Sequence, residues 1–267
     1  MKHILLPTDF SGTSVKAAYF AMDLYGAEDA RYTLLNTYLK PAYRNALLPL
    51  SVDTERASRN GLRRMERRCR KHAGKVYIGQ IATFHELTRA IEEVHRKKPV
   101  DVVVMGTQGE GNYGRVGHNT SAVVTGGVPA VITVPAEWRS APIKRILFAD
   151  DGQGITNAGM APLLGIAERT GAHVTVLYVG NPAEDPRTKE HLRKLSTSFG
   201  DIPHSFVTVD SDGVTGAMDR MVVERQIHLV AVVHRERSFW KRIFLASTSK
   251  RMALHTTVPL LVLREGH

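Results

Sequence analysis

VDVVVMGTQGEGNYGRVGHNTS, residues 100–121, opens with the apolar run Val102-Val103-Val104-Met105 and passes at once into a glycine-dense loop. The run is too short for a free-standing helix and rich in β-branched residues, so it reads as a buried strand ending at Gly106. Gly106, Gly109, Gly111, Gly114 and Gly117 let the backbone take positive φ and let a ligand approach closely. His118-Asn119-Thr120-Ser121 then supplies N-cap side chains for a helix running through Val124. Strand, glycine loop and helix N-terminus together form an anion site, because exposed N–H groups and the helix dipole both favour phosphate.

Two phosphate fingerprints fail against this loop. Gly109-Glu110-Gly111-Asn112-Tyr113-Gly114 is literally GxGxxG, but it follows a late strand, and no acidic residue about twenty positions on is placed to hold a ribose. A Walker A loop needs a GK[ST] ending, which the chain lacks.

Outward from the loop, strands and helices alternate. His3–Ser11 is an opening strand with Asp9 where it turns into a helix over Thr13–Tyr25, whose inner stripe is Ala17, Ala18, Ala21 and Leu24. Arg31–Thr37 is the second strand, and the segment from Tyr38 to Val52, with two prolines, is a long loop of the kind that serves as a lid or contact surface. A helix over Thr54–Lys71, a strand over Lys75–Gln80, a helix over Phe84–Lys97 and a closing strand over Val128–Pro135 complete a unit. This alternation predicts a parallel sheet of order 3-2-1-4-5. In such sheets ligands sit beyond the carboxyl ends of strands where strand order reverses, which puts Asp9 in place to bond a ribose hydroxyl or an adenine amine. A turn or helix-capping aspartate explains the same residue.

After a linker over 136–143 the pattern begins again. Ile143–Asp151 restates Met1–Asp9, Gly171–Val179 restates the second strand, and Val258–Leu263 restates the fifth. The chain therefore divides into residues 1–135 and 144–267, two units able to pack as a pseudo-symmetric dimer within one chain; a further homodimer stays open. A length of 267 residues accommodates two domains of about 150.

Composition limits the classes. A single cysteine, Cys69, leaves no internal disulfide or cysteine cage and fits a reducing cytoplasm. The N-terminus reads as a strand rather than a signal peptide, and no apolar run approaches a membrane span. The net charge of +10 and pI near 9.8 are concentrated in Arg63, Arg64, Arg67, Arg68, Arg70 and Lys71. That run reads first as the solvated face of an amphipathic helix. Without a nucleic-acid motif or interleaved aromatics it supports at most weak, salt-sensitive attraction to acidic lipid or nucleic acid, which argues against nucleic acid as a specific partner.

Pro7-Thr8-Asp9-Phe10-Ser11 and Gly106-Thr107-Gln108-Gly109 resemble the first strand and the nucleotide loop, G-2x-G-9x-G-[S/T], of the universal stress protein family. Gly117-His118 matches the second half of that loop only with the intervening segment two residues short and histidine in place of the hydroxyl residue. With the repeat, the resemblance covers nearly the whole chain and implies two tandem Rossmann-like domains of the adenine-nucleotide alpha hydrolase-like kind, each a five-stranded parallel α/β sheet with helices on both faces. It also implies binding of ATP, ADP or AMP. Pro7, Thr8 and Asp9 would then wall and bond the adenosine, Thr37 and Met105 would border the base, and the backbone of Gly106, Gly109 and Gly117 with His118 and Asn119 would receive the phosphates. Mg²⁺ accompanying the nucleotide would be held by phosphates and one carboxylate, Asp9 or Glu110. A stress-linked, nucleotide-responsive regulator acting on a partner protein is what the family implies.

In the second unit Val233, Glu236, Ala246 and Ser247 occupy the four motif positions, so the spacing survives and the glycines do not. Its site is expected to be poor, and the loop from Arg235 to Phe244 mixes cations with Phe239, Trp240 and Phe244 instead, for packing or for docking. His118 could contact a phosphate or act as a base, but no catalytic triad, nucleophile elbow, paired carboxylates or HExxH stands out, so ATP hydrolysis would at most be slow. The rival reading is a nucleotide-free interaction protein using its basic and aromatic surfaces. A third is an enzyme of the wider adenine-nucleotide-binding group, which would need a reactive group this sequence does not display.

Overall fold

The structure, a computed structural model, describes residues 1–38, 53–107, 118–126, 129–150, 152–179, 186–209, 214–234 and 257–265. The first half runs β1 (Lys2–Pro7), α1 (Gly12–Tyr25), β2 (Ala30–Thr37), α2 (Thr54–Ala73), β3 (Tyr77–Thr83), α3 (Leu87–Lys97), β4 (Val102–Gly106), α4 (His118–Thr125) and β5 (Ala130–Val134). The second runs β6 (Arg145–Asp150), α5 (Asn157–Thr170), β7 (His173–Val179), α6 (Pro186–Phe199), β8 (His204–Val209), α7 (Val214–Glu224), β9 (Leu229–His234) and β10 (Leu260–Arg264). The long loop read over 38–52 lies, beyond Tyr38, outside the described residues, as does the cationic and aromatic loop after Arg235.

All strands join one ten-stranded sheet of order β3-β2-β1-β4-β5-β10-β9-β6-β7-β8. Each half is parallel within itself, and the α/β class read from the alternation holds. The halves meet edge to edge: β5 and β10 pair antiparallel, with Thr133, Ile132 and Val131 opposite Leu260, Leu261 and Val262. The joint is thus a continuous hydrogen-bonded ladder rather than two sheets facing one another.

Central strands are buried on both faces and so read as unbroken apolar runs. Ile4 and Leu6 point into the cluster under α1, α2, α5 and α6, while Leu5 points into the one under α3, α4 and α7. Both clusters contain residues of both halves, so neither half has a core of its own. The 136–143 connection is docked rather than free: Trp138 is buried edge-on against Phe20, Ile143 is buried, and Ser140 Oγ donates to Asp23 Oδ2 at 2.9 Å. No helix among the described residues is long and apolar enough to cross a membrane.

Boundaries moved where pairing outweighed local pattern. β3 stays paired with β2 as far as Thr37 opposite Thr83, so the strand continues past Gln80 and α3 starts at Leu87 rather than Phe84.

One device recurs at the foot of each half. The backbone N–H of His3 donates to Asp101 Oδ2 at 2.7 Å, and at the matching place Arg145 N–H donates to His228 Nδ1 at 3.2 Å. The His3 ring lies between the Pro99 carbonyl and the Thr33 hydroxyl, each 2.9 Å away, an arrangement suited to the neutral imidazole.

Two outcomes follow from this packing. Leu261→Ala, at a fully buried position of the joint, should cost about 2–5 kcal/mol; urea unfolding should remain a single transition, because the halves share both cores, and two separate transitions would contradict that. Burial is the largest influence on His3 and His228 and holds both below the ordinary 6.5. The unfolded chain therefore takes up protons first, so their contribution to stability is complete above about pH 6.5 and lost as pH falls through the folded-state values. The urea midpoint should drop on acidification over that window, and by less in His3→Gln.

Candidate functional site

Order reverses at β1, whose neighbours β2 and β4 are reached by crossovers over opposite faces, so a crevice opens at the carboxyl ends of β1 and β4. The chain leaving β1 is tightly fastened there. Thr8 N–H donates to Leu35 O at 2.9 Å, Asn36 Nδ2 donates to Thr8 O at 2.6 Å, and Ser58 Oγ of α2 donates to Asn36 Oδ1 at 2.6 Å. The Thr8 hydroxyl accepts from Phe10 N–H and meets Ser14 Oγ, both at 3.0 Å. Phe10 takes a left-handed φ of 68°, an uncommon state for a non-glycine residue, and its ring packs onto Gly61, where a Cβ would come within 2.4 Å. The turn leaves Asp9 exposed, with Oδ1 accepting from Ser11 N–H at 3.1 Å. Asp9 is therefore a turn aspartate whose carboxylate remains exposed just beyond the end of β1.

On the β4 side, Gly106 ends the strand where α1 comes closest. A Cβ on it would lie 2.7 Å from Thr13 Cγ2 and 3.2 Å from the Thr13 backbone carbon. Thr120 in the first turn of α4 donates its hydroxyl to Gly106 O at 3.0 Å. Thr107 N–H donates to Val134 O at 3.0 Å, but its side-chain Oγ1 is buried with no partner among the described residues.

The fold thus brings Pro7, Thr8, Asp9, Met105 and Gly106 together, with Thr37 one strand further out at the end of β2. Met105 is buried in the same cluster as Ile91, Val123 and Val124, so its side chain lines the core under α3 and α4. His118 and Asn119 open α4; Gly109 and Gly117 lie outside the described residues. Sequence reading passed over Thr107, Thr120, Asn36 and Ser58. For Thr120 a signal existed: the nine residues after Gly109 end at His118 and are followed by Asn119-Thr120, so the full family spacing survives with asparagine for the glycine and threonine as the hydroxyl residue. The bond from Thr120 to Gly106 favours this register over the shortened one ending at His118.

The matching crevice in the second half is built differently. Asp150 takes the place of Thr8, is almost fully buried and lies 2.6 Å from His191 Nε2. Val233 takes the place of Gly106 and is buried in the core. It can do so because six residues separate β6 from α5, against four between β1 and α1, so the helix starts later. Glu236, Ala246 and Ser247 lie outside the described residues. Among the described residues no group of three or more His, Cys, Asp or Glu could hold a metal ion.

A duplicated α/β unit with a crevice at its switch point defines a tandem, Rossmann-like class of fold. The universal stress protein family matches residues 1–132 and again 142–264, and the chain belongs to that family. Among solved structures it is similar to a universal stress protein from Archaeoglobus fulgidus DSM 4304, at 15% identity and a TM-score of 0.70, covering 99% of this chain and 96% of that one. It is also similar to a functionally unknown protein from Pseudomonas aeruginosa PAO1, at 14% identity and a TM-score of 0.60, covering 99% and 93%. At such identities the likeness is one of fold. No curated protein matches the chain.

The contact at Gly106 has a measurable consequence. Gly106→Ala should destabilise the protein by about 1–3 kcal/mol, the usual range for overpacking a closed site, read as a fall in urea midpoint without any ligand. An unchanged midpoint would show that the glycine is not held there by Thr13.

Proposed function

We propose that the first half binds an adenine nucleotide, ATP, ADP or AMP, at the carboxyl ends of β1 and β4, and that the protein is a nucleotide-responsive regulator rather than an enzyme. The observation that carries this reading is the Thr107 hydroxyl, buried at the switch point and without a partner among the described residues. Such a group costs stability unless something else bonds it, and a bound ligand is one such partner. Asp9 supplies an exposed carboxylate for ribose or adenine, and Pro7, Thr8, Thr37 and Met105 belong to the surrounding strand ends. The amides of Gly106, Gly109, Gly117, His118 and Asn119 receive phosphates, assisted by the N-terminus of α4. Mg²⁺, if carried with the nucleotide, is held mainly by its phosphates, with Asp9 the carboxylate at this rim.

A binding role suits the chemistry on hand. The hydroxyls of Thr8, Ser14 and Thr120 are engaged in structural bonds, and none is paired with a base among the described residues. Cys69 is buried and its thiol pushed up to about 12, so it is not a nucleophile, and it fits a reducing cytoplasm. In this reading residues 1–135 form the binding half, and 144–267 a copy whose crevice is filled by Val233 and by the Asp150–His191 pair. Occupancy changes the surface offered beside the crevice to a partner protein in a stress-linked response.

Mass spectrometry of nucleotides released from the purified chain, followed by calorimetric titration with ATP and AMP, tests the proposal. Asp9→Ala and Gly109→Val should weaken binding at least about tenfold, or roughly 1.4 kcal/mol, while Ser247→Ala leaves it unchanged. Thr107→Val should weaken binding without lowering the urea midpoint of the free protein, since it removes an unsatisfied group. Absence of binding by the intact chain sinks the reading.

A further inference from the structure

The outer face of α2 carries a charge pattern that folding alone does not require. Of its twenty residues, Ser58, Gly61, Leu62, Met65 and Cys69 are buried, and this stripe seats the helix against the sheet beside the edge strand β3. The remainder holds eight Arg or Lys against two Glu, six of the ten net positive charges of the protein. Both acids are already engaged, Glu55 by Arg59 and Glu66 by Arg70 and Gln80. Arg63, Arg64, Arg67, Arg68 and Lys71 are exposed, and none forms an ion pair among the described residues.

These five stand beside one another. Arg63 and Arg67, Arg64 and Arg68, and Arg67 and Lys71 are all i,i+4 neighbours of like sign, which weakens a helix. Four of the five are arginines, whose planar fork matches phosphate oxygens two at a time.

We propose that this face of α2 docks on the phosphate backbone of a nucleic-acid duplex, without selecting sequence. Successive positions on a helix lie about 100° apart, so Arg63–Arg67 and Arg64–Arg68 form two rows on adjacent flanks of a rod roughly 30 Å long. A helix fits a major groove about 12 Å wide, where two such rows meet phosphates of both strands. A flat anionic membrane would face one row, and α2 itself presents no aromatic or large aliphatic side chain to insert, since its apolar stripe is spent on the core; Tyr77, exposed at the start of β3, lies outside the helix. The attraction is the weak, salt-sensitive kind that carries no base readout. It stands apart from the nucleotide reading, because α2 meets the crevice through Ser58 and Gly61, both on its buried side.

The test is fluorescence anisotropy of a labelled mixed-sequence DNA duplex with the full chain, titrated between about 50 and 200 mM salt. Five neutralised phosphates give a log–log slope of about −4, hence roughly a few-hundredfold loss of affinity across that range. Arg63→Gln/Arg67→Gln and Arg64→Gln/Arg68→Gln should each reduce the slope by about two. Because each removes a like-charge pair, the urea midpoint should not fall, which separates lost binding from lost folding. No binding at the low-salt end, a slope unaltered in both double variants, or tighter binding to phosphatidylglycerol vesicles than to the duplex would each overturn the proposal.

Discussion

An open parallel sheet ends in strands whose outer N–H and C=O groups have no partner, and how those edges are satisfied governs the rest of this molecule. Here the fifth strand of each half satisfies the other, through the antiparallel pairing of β5 with β10. Antiparallel pairing reverses one half relative to its copy. The carboxyl ends of β1 and β4 therefore lie at one rim of the sheet, and those of β6 and β9 at the opposite rim. Two crevices of common descent are kept apart, so either can degenerate without disturbing the other.

The two crevices are built differently. In the first half α1 closes directly onto the end of β4, and only glycine fits at 106 against Thr13. In the second half two more residues precede α5, and the space is taken by Val233. The polar network differs as well: Thr8, Ser14, Asn36 and Ser58 in one half, against Asp150, His191, Tyr178 and Thr188 in the other, where the Tyr178 hydroxyl lies 3.1 Å from Thr188 Oγ1. The first network secures a turn and leaves a carboxylate outside it. The second buries the carboxylate against an imidazole.

Much of the architecture was legible because it rests on short-range pattern. Unbroken apolar strands, helices of period 3.6 and the restated opening segment give an α/β tandem, and the structure has that form. The edge-to-edge joint was not legible, since nothing in β5 or β10 distinguishes pairing with its counterpart from packing face to face. Gly106 shows a subtler gap. Its glycine reads as room for a ligand, yet the contact with Thr13 requires it with no ligand at all, so its presence cannot count twice. Thr107 was quoted within the glycine motif but given no role, because threonine after a strand is unremarkable in sequence; only burial reveals a hydroxyl without a partner among the described residues.

The joint also explains an arginine buried near the end of the chain. Arg264 closes β10, and its guanidinium donates across the joint to the α4 carbonyl of Val124 at 2.6 Å, with Val123 O at 3.4 Å. The last carbonyls of a helix have no partner within it, and the helix dipole makes that end attractive to a cation. Burial lowers the guanidinium to about 10, so it remains charged at neutral pH. The Arg264 carbonyl in turn lies against α5, where a Cβ on Gly159 would come within 2.4 Å of it. One residue of the second half therefore anchors the C-terminal end of α4, the helix whose other end opens beside the first crevice, and also fixes how closely α5 approaches the sheet. The halves are coupled through backbone groups at this point, which a pair of domains joined only by a flexible tether could not achieve.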